Sequence, residues 1–365
     1  MKEFRPPVRD DLVGHTPYGA PQLDVDVKLN VNENPFPLSS AVVRAIVSEV
    51  SESAASLNRY PDRDFLALRE DLSQYLSDES GVSVSPESIW AANGSNEVMA
   101  HIMAAFGGPD RSVLSFPPTY SMYPEYVRES FATLIEVPRL EDFSLDMPAI
   151  VSRISVSQPS ITVLASPNNP TGTAVSIDEI ATIAQACKSG VVVVDEAYAE
   201  FRRLGSPSAV SLLSEYPNLI VTRTMSKAFA MAGARLGYAA AHPSVIDALR
   251  IVRLPYHLSA ITQAVARAAL QMAPELQSGL AVIRDERDHM VEGLRARGLD
   301  VAESDANFCF FGVFSDRHRV WQGLVQRGVL IRETGPEGWL RASVGTPEEN
   351  ARFMAALNEV LTDIE

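Results

Sequence analysis

Leu219-Ile220-Val221, then Thr224-Met225-Ser226-Lys227 and, after seven further residues, Arg235, form the stretch whose reading decides the fold. The apolar run reads as a buried strand of a parallel sheet. Ligands of open α/β sheets bind at the carboxyl ends of such strands, and here that end carries one amine, two hydroxyls and one guanidinium. A lysine among phosphate-binding hydroxyls and a bidentate arginine suits a phosphorylated aldehyde held as a Schiff base. Taken alone, Lys227 reads better as an ordinary solvated lysine. The flanking sequence argues for the first reading.

Upstream, Val191-Val192-Val193-Val194 is a fully buried strand whose first polar residue is Asp195, with Tyr198 three residues later. A carboxylate at such a strand end is costly unless paired, so Asp195 either makes a structural hydrogen bond or partners a cationic ring nitrogen. Ile161-Thr162-Val163-Leu164-Ala165 is another strand, running into the turn-rich Ser166-Pro167-Asn168-Asn169-Pro170-Thr171-Gly172. The helix after it opens with a capping box, Ser176 to Glu179, and is expected to stop near Gly190. Trp90 to Glu97 reads as a strand turning through Gly94 into a helix whose free N–H groups make an anion site, with Ser95 or Asn96 as an alternative cap. Leu114 to Tyr120 ends a further strand, and Tyr120 is either a ring-stacking residue or a half-buried core tyrosine. This alternation from about residue 90 to 240 implies a mostly parallel, helix-covered sheet.

The ends of the chain read differently. Residues through Pro17-Tyr18-Gly19-Ala20-Pro21 suggest an extended arm. Leu29-Asn30-Val31-Asn32-Glu33-Asn34-Pro35 is expected to be a short strand with a polar end, where Asn34 touches a substrate or, more simply, shapes a turn. A helix from about Ser40 follows, then the connection Asn58-Arg59-Tyr60-Pro61-Asp62 and a second amphipathic helix with Leu66, Leu68, Leu72 and Leu76. After Arg235 come Val252 to Ser259, including Tyr256, a helix-rich stretch, and a long helix expected from about Pro274 to Arg297. Val301, Phe308 to Phe311 and Trp339 to Val344 are expected strands, interleaved with helices near 316–327 and 348–361. The expected division is an N-terminal arm and part of a small domain (1–48), a large domain (49–273) and a smaller α/β domain (274–365). Arg332 and Arg341 both lie in the last; arginine captures carboxylate or phosphate bidentately, although surface salt bridges use it more often.

With 365 residues, 46% hydrophobic and 21% charged, the chain is long enough for a large and a smaller domain. Its formal net charge of −15 disfavours nucleic acid and anionic membranes as partners. Cys187 and Cys309 lack a paired spacing, no apolar run is long enough to cross a bilayer, and no cleavable leader is visible. A cytoplasmic location is expected. The histidines show no HxH or HxxxH spacing, so no metal site is expected.

Taken together, the ordered motifs resemble fold-type I pyridoxal-phosphate aminotransferases, specifically the histidinol-phosphate aminotransferase family. They are Asn34 in Asn-Glu-Asn-Pro, Arg59-Tyr60-Pro61, Asn93 to Glu97, Pro167 to Gly172, Asp195 to Tyr198, Ser226-Lys227 with Arg235, and Leu340-Arg341 before Gly345 to Asn350. The resemblance covers nearly the whole chain. It implies pyridoxal 5′-phosphate on Lys227, which also moves the substrate proton, with Asp195 keeping the pyridine nitrogen protonated. Asn169 and Tyr198 would hydrogen-bond the phenolate oxygen, and Tyr120 would stack on the ring. Ser95, Asn96, Thr224, Ser226 and Arg235 would hold the phosphate. It further implies a homodimer in which Tyr60 reaches the neighbouring site, with Tyr18, Asn34, Tyr256, Arg332 and Arg341 about the substrate, histidinol phosphate or glutamate/2-oxoglutarate. Competing expectations are an aromatic amino-acid aminotransferase of the same fold and a pyridoxal-phosphate decarboxylase of a phosphorylated amino acid. The aminotransferase-like half of a transcription regulator would need a DNA-binding domain, for which neither spare length nor basic charge is present.

Overall fold

A computed structural model describes residues 4, 6–17 and 19–364. Its centre is a seven-stranded sheet in the order Ile89–Ala92, Gly237–Ala241, Leu219–Thr224, Val191–Asp195, Ile161–Ala165, Ser112–Ser115, Thr133–Glu136. Gly237–Ala241 pairs antiparallel with both its neighbours, and the other pairs are parallel. The central strands are buried along their whole length because helices cover both faces, which is why they read as continuous apolar runs rather than alternating ones.

The helix Ile177–Ala186 has both halves of its capping box, Ser176 with Glu179, and ends earlier than expected, at Cys187 rather than Gly190. The long helix expected from Pro274 to Arg297 is two helices, Ala273–Leu276 and Leu280–Arg295. The second begins after Gly279, where a Cβ would stand 3.1 Å from the ring of Phe36, so the backbone approaches that ring closely. Strand pairing in the first segment lies earlier than expected, at Val27–Lys28, parallel to Val329–Leu330. Leu29 to Asn34 then runs without a strand assignment towards the large sheet.

A second sheet, all antiparallel, has the order Arg332–Glu333, Leu340–Ser343, Phe308–Gly312, Asp300–Val301. The helices Leu280–Arg295, Arg317–Gln326 and Pro347–Ile364 accompany it. This sheet meets the large one at the loop Asn168 to Gly172. The Asp305 N–H donates to the Gly172 carbonyl at 2.9 Å, and a Cβ on Gly172 would lie 2.5 Å from Ser304 Oγ. Gly172 also has φ 82°, so both its conformation and its contact require glycine.

Among the described residues, no helix is long and apolar enough to cross a membrane.

Candidate active site

The carboxyl ends of the parallel strands open into a cavity of about 310 Å³. Alternation along Leu219–Thr224 decides which side chains reach it. Thr222 donates to Asp195 Oδ1 at 3.2 Å and Thr224 lines the cavity. Arg223, between them, points the opposite way into a buried ion cluster. It donates to Glu196 Oε2 at 2.8 Å, Glu200 Oε1 at 3.0 Å and Glu79 Oε2 at 3.0 Å, while Arg202 bridges Glu79 and Glu196 at 3.0 and 3.3 Å. The cluster anchors the two strands that end in Asp195 and Thr224, from behind.

At one end of the cavity the helix Ser95–Phe106 begins at Gly94, with φ 85° and no capping side chain. Neither Ser95 nor Asn96 is the cap, and both line the cavity. The crossing is tight: a Cβ on Gly237 would fall 2.1 Å from the Ser95 nitrogen, and one on Gly94 would fall 2.7 Å from Arg235 Nη2. Arg235 Nη1 donates to Ser226 Oγ at 3.4 Å, and Thr224 Oγ1 accepts from the Ser226 N–H at 3.1 Å. Hydroxyls, a guanidinium and an uncapped helix start thus converge on one end, as an anion requires.

Asp195 stands elsewhere in the cavity wall, 7% exposed. It accepts from Tyr123 Oη at 3.1 Å and from the Ala197 N–H at 3.3 Å, and makes no ion pair among the described residues. Burial pushes its pKa up, against the lowering effect of those hydrogen bonds. A buried carboxylate with neutral partners fits a cationic N–H donor supplied by a ligand. Tyr123, invisible as a site residue in the sequence, holds that carboxylate and meets Tyr120 edge-on at 5.6 Å between centroids; Tyr120 lines the cavity.

Lys227 lies between these two ends, its Nζ donating to the Val31 carbonyl at 3.0 Å. Burial, then the nearby Arg341 and Arg235 charges, pull its pKa down to about 8, with Glu33 opposing. Asn169 Oδ1 accepts from Arg341 Nη1 at 2.5 Å and its Nδ2 faces Tyr198 Oη at 3.5 Å. Asn32, which the sequence reading passed over, donates from Nδ2 to the same oxygen at 3.0 Å. Arg341 Nη2 also donates to the Asn30 carbonyl at 2.8 Å, and Arg332 donates to the Gly19 carbonyl at 3.3 Å.

Three expected residues stand apart from this cavity. Asn34 shapes a turn: its Oδ1 accepts the Phe36 N–H at 3.0 Å and its Nδ2 donates to the Ala228 carbonyl at 3.4 Å. Tyr60 and Tyr256 stack on each other at 4.5 Å on the outer surface, 79% and 40% exposed, and neither lines the cavity of its own chain. Tyr18 lies outside the described residues.

An amine of lowered pKa at the carboxyl edge of a parallel α/β sheet, with an anion-binding end and a buried, cation-free carboxylate, defines the class: a pyridoxal 5′-phosphate enzyme. Residues 24–357 match the family Aminotransferase class I and II, and the chain belongs to that family. It is 58% identical over 355 residues to histidinol-phosphate aminotransferase 3 of Burkholderia lata, covering 97% of this chain and 96% of that one. It is 57% identical over 351 residues to a histidinol-phosphate aminotransferase of Thermobifida fusca, with 96% and 94% covered. Among solved structures, histidinol-phosphate aminotransferase from Sinorhizobium meliloti in complex with pyridoxal-5′-phosphate superposes with a TM-score of 0.82 at 25% identity, covering 93% of this chain and 92% of that one.

Proposed function

We propose that this protein transfers the amino group of L-histidinol phosphate to 2-oxoglutarate, giving imidazole-acetol phosphate and L-glutamate, a step of histidine biosynthesis. The observation that carries the choice of substrate is the pairing of Arg332 and Arg341. They are directly opposite each other in antiparallel strands, hence on one face, and both line the cavity that holds Lys227. Like charges so placed repel unless an anion lies between them. A phosphate offers such a pair several charge-assisted hydrogen bonds, each worth roughly 1.5–3 kcal/mol, and the carboxylates of glutamate or 2-oxoglutarate can occupy the same place in the other half-reaction.

Pyridoxal 5′-phosphate, when bound, supplies the electron sink that makes the substrate Cα–H acidic. The Ser95 and Asn96 amides with Thr224, Ser226 and Arg235 would hold its phosphate, Asp195 would keep its ring nitrogen protonated, and Tyr120 would stack on its ring. Tyr198 and Asn169 would hydrogen-bond its phenolic oxygen. Lys227 would be its covalent anchor and the base that moves the substrate proton, a task its lowered pKa suits.

Tyr60 acts in the second site of a homodimer in this reading. Its support is the exposure of the Tyr60–Tyr256 stack, neither ring of which lines its own chain's cavity. The large domain then spans about 49–273, between an arm with part of the small domain (1–48) and the remainder (274–365), in keeping with sheets drawn from residues 89–241 and 300–343. The location is cytoplasmic and the partners are small molecules.

An amine panel with 2-oxoglutarate tests the proposal, run on the wild type and on Arg332→Ala. Turnover should be highest with histidinol phosphate, and the substitution should lower kcat/KM for it by one to two orders of magnitude, following the hydrogen-bond energies above, and for phenylalanine or histidinol much less. Equal losses on all amines, or a wild-type preference for phenylalanine, would support the aromatic enzyme instead; release of carbon dioxide without an acceptor would support a decarboxylase.

A further inference from the structure

The hairpin that carries Arg332 and Arg341 is held on its outer face by the helix Arg317–Gln326. Its first strand, Arg332–Glu333, is two residues long and lies at the edge of the small sheet. Arg332 stands opposite Arg341, so an empty site sets cation beside cation on a strand with a single neighbour. Alternation sends Arg332 and Thr334 into the cavity and Glu333 to the other face. There the helix takes hold. Trp321 Nε1 donates to the Ile331 carbonyl at 2.9 Å, His318 Nδ1 meets Glu333 Oε2 at 2.9 Å, and Arg317 Nε lies 3.7 Å from Glu333 Oε1. Arg317 also closes the turn between the strands. Its Nη1 donates to the Pro336 carbonyl at 2.6 Å, with the carbonyls of Gly335, Trp339 and Thr334 gathered round it at 3.2, 3.3 and 3.5 Å. Carbonyl dipoles aimed at one point repel one another unless a cation lies there. On the inner side the turn is wedged: a Cβ on Gly335 would fall 2.8 Å from the Phe310 ring and 3.2 Å from Pro170, the neighbour of Asn169. The turn therefore has no slack inward, and Arg317 is what restrains it outward.

We propose that Arg317 is a positioning residue for the anionic end of the amine substrate: by gathering the carbonyls of the turn it keeps the edge strand in place, with Arg332 near enough to Arg341 for the two to share one anion. Arg317 does not line the cavity, so it acts through Arg332. Without it, repulsion between the two arginines acts on a two-residue edge strand whose turn is no longer tied to the helix. The pair is then prepared less well for a phosphate, while an amine that lacks the anionic group loses little. The inference rests on the reading of Arg332 and Arg341 as the phosphate grip.

The test is the first half-reaction of the holoenzyme under single-turnover conditions, followed in the visible spectrum, with histidinol phosphate and with histidinol. Omitting 2-oxoglutarate keeps a second ligand off the same arginines, and thermal melting checks folding. Arg317→Met should raise the half-saturating concentration of histidinol phosphate by about tenfold, the lower end of what one charge-assisted hydrogen bond contributes. The limiting rate with histidinol phosphate, and both constants with histidinol, should stay within about twofold, the pattern of lost binding rather than lost chemistry. Arg317→Lys, which returns a cation, should recover at least half of the loss on a logarithmic scale. In an Arg332→Ala background Arg317→Met should add less than about threefold, because the residue it positions is gone. A general loss of stability would instead affect both amines alike and persist at full size in that background; either result overturns the proposal, as does an Arg317→Met protein that behaves as the wild type. Should Arg317→Met fail to fold, Arg317→Gln, which keeps an amide donor without the charge, is measured against the same criteria. A wild type that binds both amines alike would overturn the substrate reading and this inference with it, whereas a wild type that prefers the phosphate while the Arg317 variants ignore it would overturn the inference alone.

Discussion

The lowered pKa of Lys227 can be measured directly, because the chain has only four lysines: Lys2, Lys28, Lys188 and Lys227. Only the neutral amine acylates, so trace labelling of the cofactor-free protein across a pH series reports the neutral fraction at each site. Burial penalises the ammonium form and the Arg341 and Arg235 charges add to that penalty, so the shift is downward, from the ordinary 10.5 to about 8. At pH 7 a group titrating at about 8 is neutral about one time in ten, against about one in three thousand for an ordinary lysine, a ratio of about 300. The peptide carrying Lys227 should therefore show a labelling midpoint near pH 8, with the exposed Lys28 and Lys188 as references on the same chain. Arg341→Met removes the larger of the two cationic contributions but not the burial, so the midpoint should move upward and stop short of 10.5. A wild-type midpoint at or above 10, or no movement in Arg341→Met, would refute the account of Lys227 as an amine held ready in its neutral form.

Asp195→Asn should leave the fold intact and lower kcat by several orders of magnitude, because a neutral amide cannot keep a ring nitrogen protonated; near wild-type turnover in a coupled glutamate assay would contradict that role. Arg223→Met leaves Glu79, Glu196 and Glu200 with Arg202 alone and should cost about 3–5 kcal/mol in urea unfolding at pH 7. Part of that loss should return when Glu200→Gln is added, since burial already pushes the Glu200 carboxyl up; a single-variant loss below about 1 kcal/mol would mean the cluster relaxes freely. Tyr60→Ala and Lys227→Ala, each impaired alone, should regain activity on mixing if the site is shared, as one hybrid site then has both native residues. No recovery after demonstrated subunit exchange would place Tyr60 outside the partner's site.

The sheet was legible in the sequence because its central strands are buried on both faces. Four valines before Asp195, or Leu219 to Val221 before Thr224, carry the signal locally, and the capping box at Ser176 and the glycines at 94 and 172 mark turns by their own chemistry. Lys227, Asp195 and Asn169 could be named for the same reason: each lies at the end of a parallel strand or within a few residues after it, where an α/β sheet places its ligand. Tertiary structure alone decided what depends on residues far apart in the chain. Asn32 meets Ser343 across 311 positions and Tyr198 across 166, and no local pattern sets that meeting. Arg223 carries no local signal of its role, since packing alone brings Glu79 and Glu200 to it. The close approach of Gly279 to the ring of Phe36 is likewise something a helical periodicity cannot register. Tyr60 and Asn34 diverge on the same principle: a loop motif fixes which residue is present, whereas the direction its side chain faces is set by the neighbours that bury or expose it.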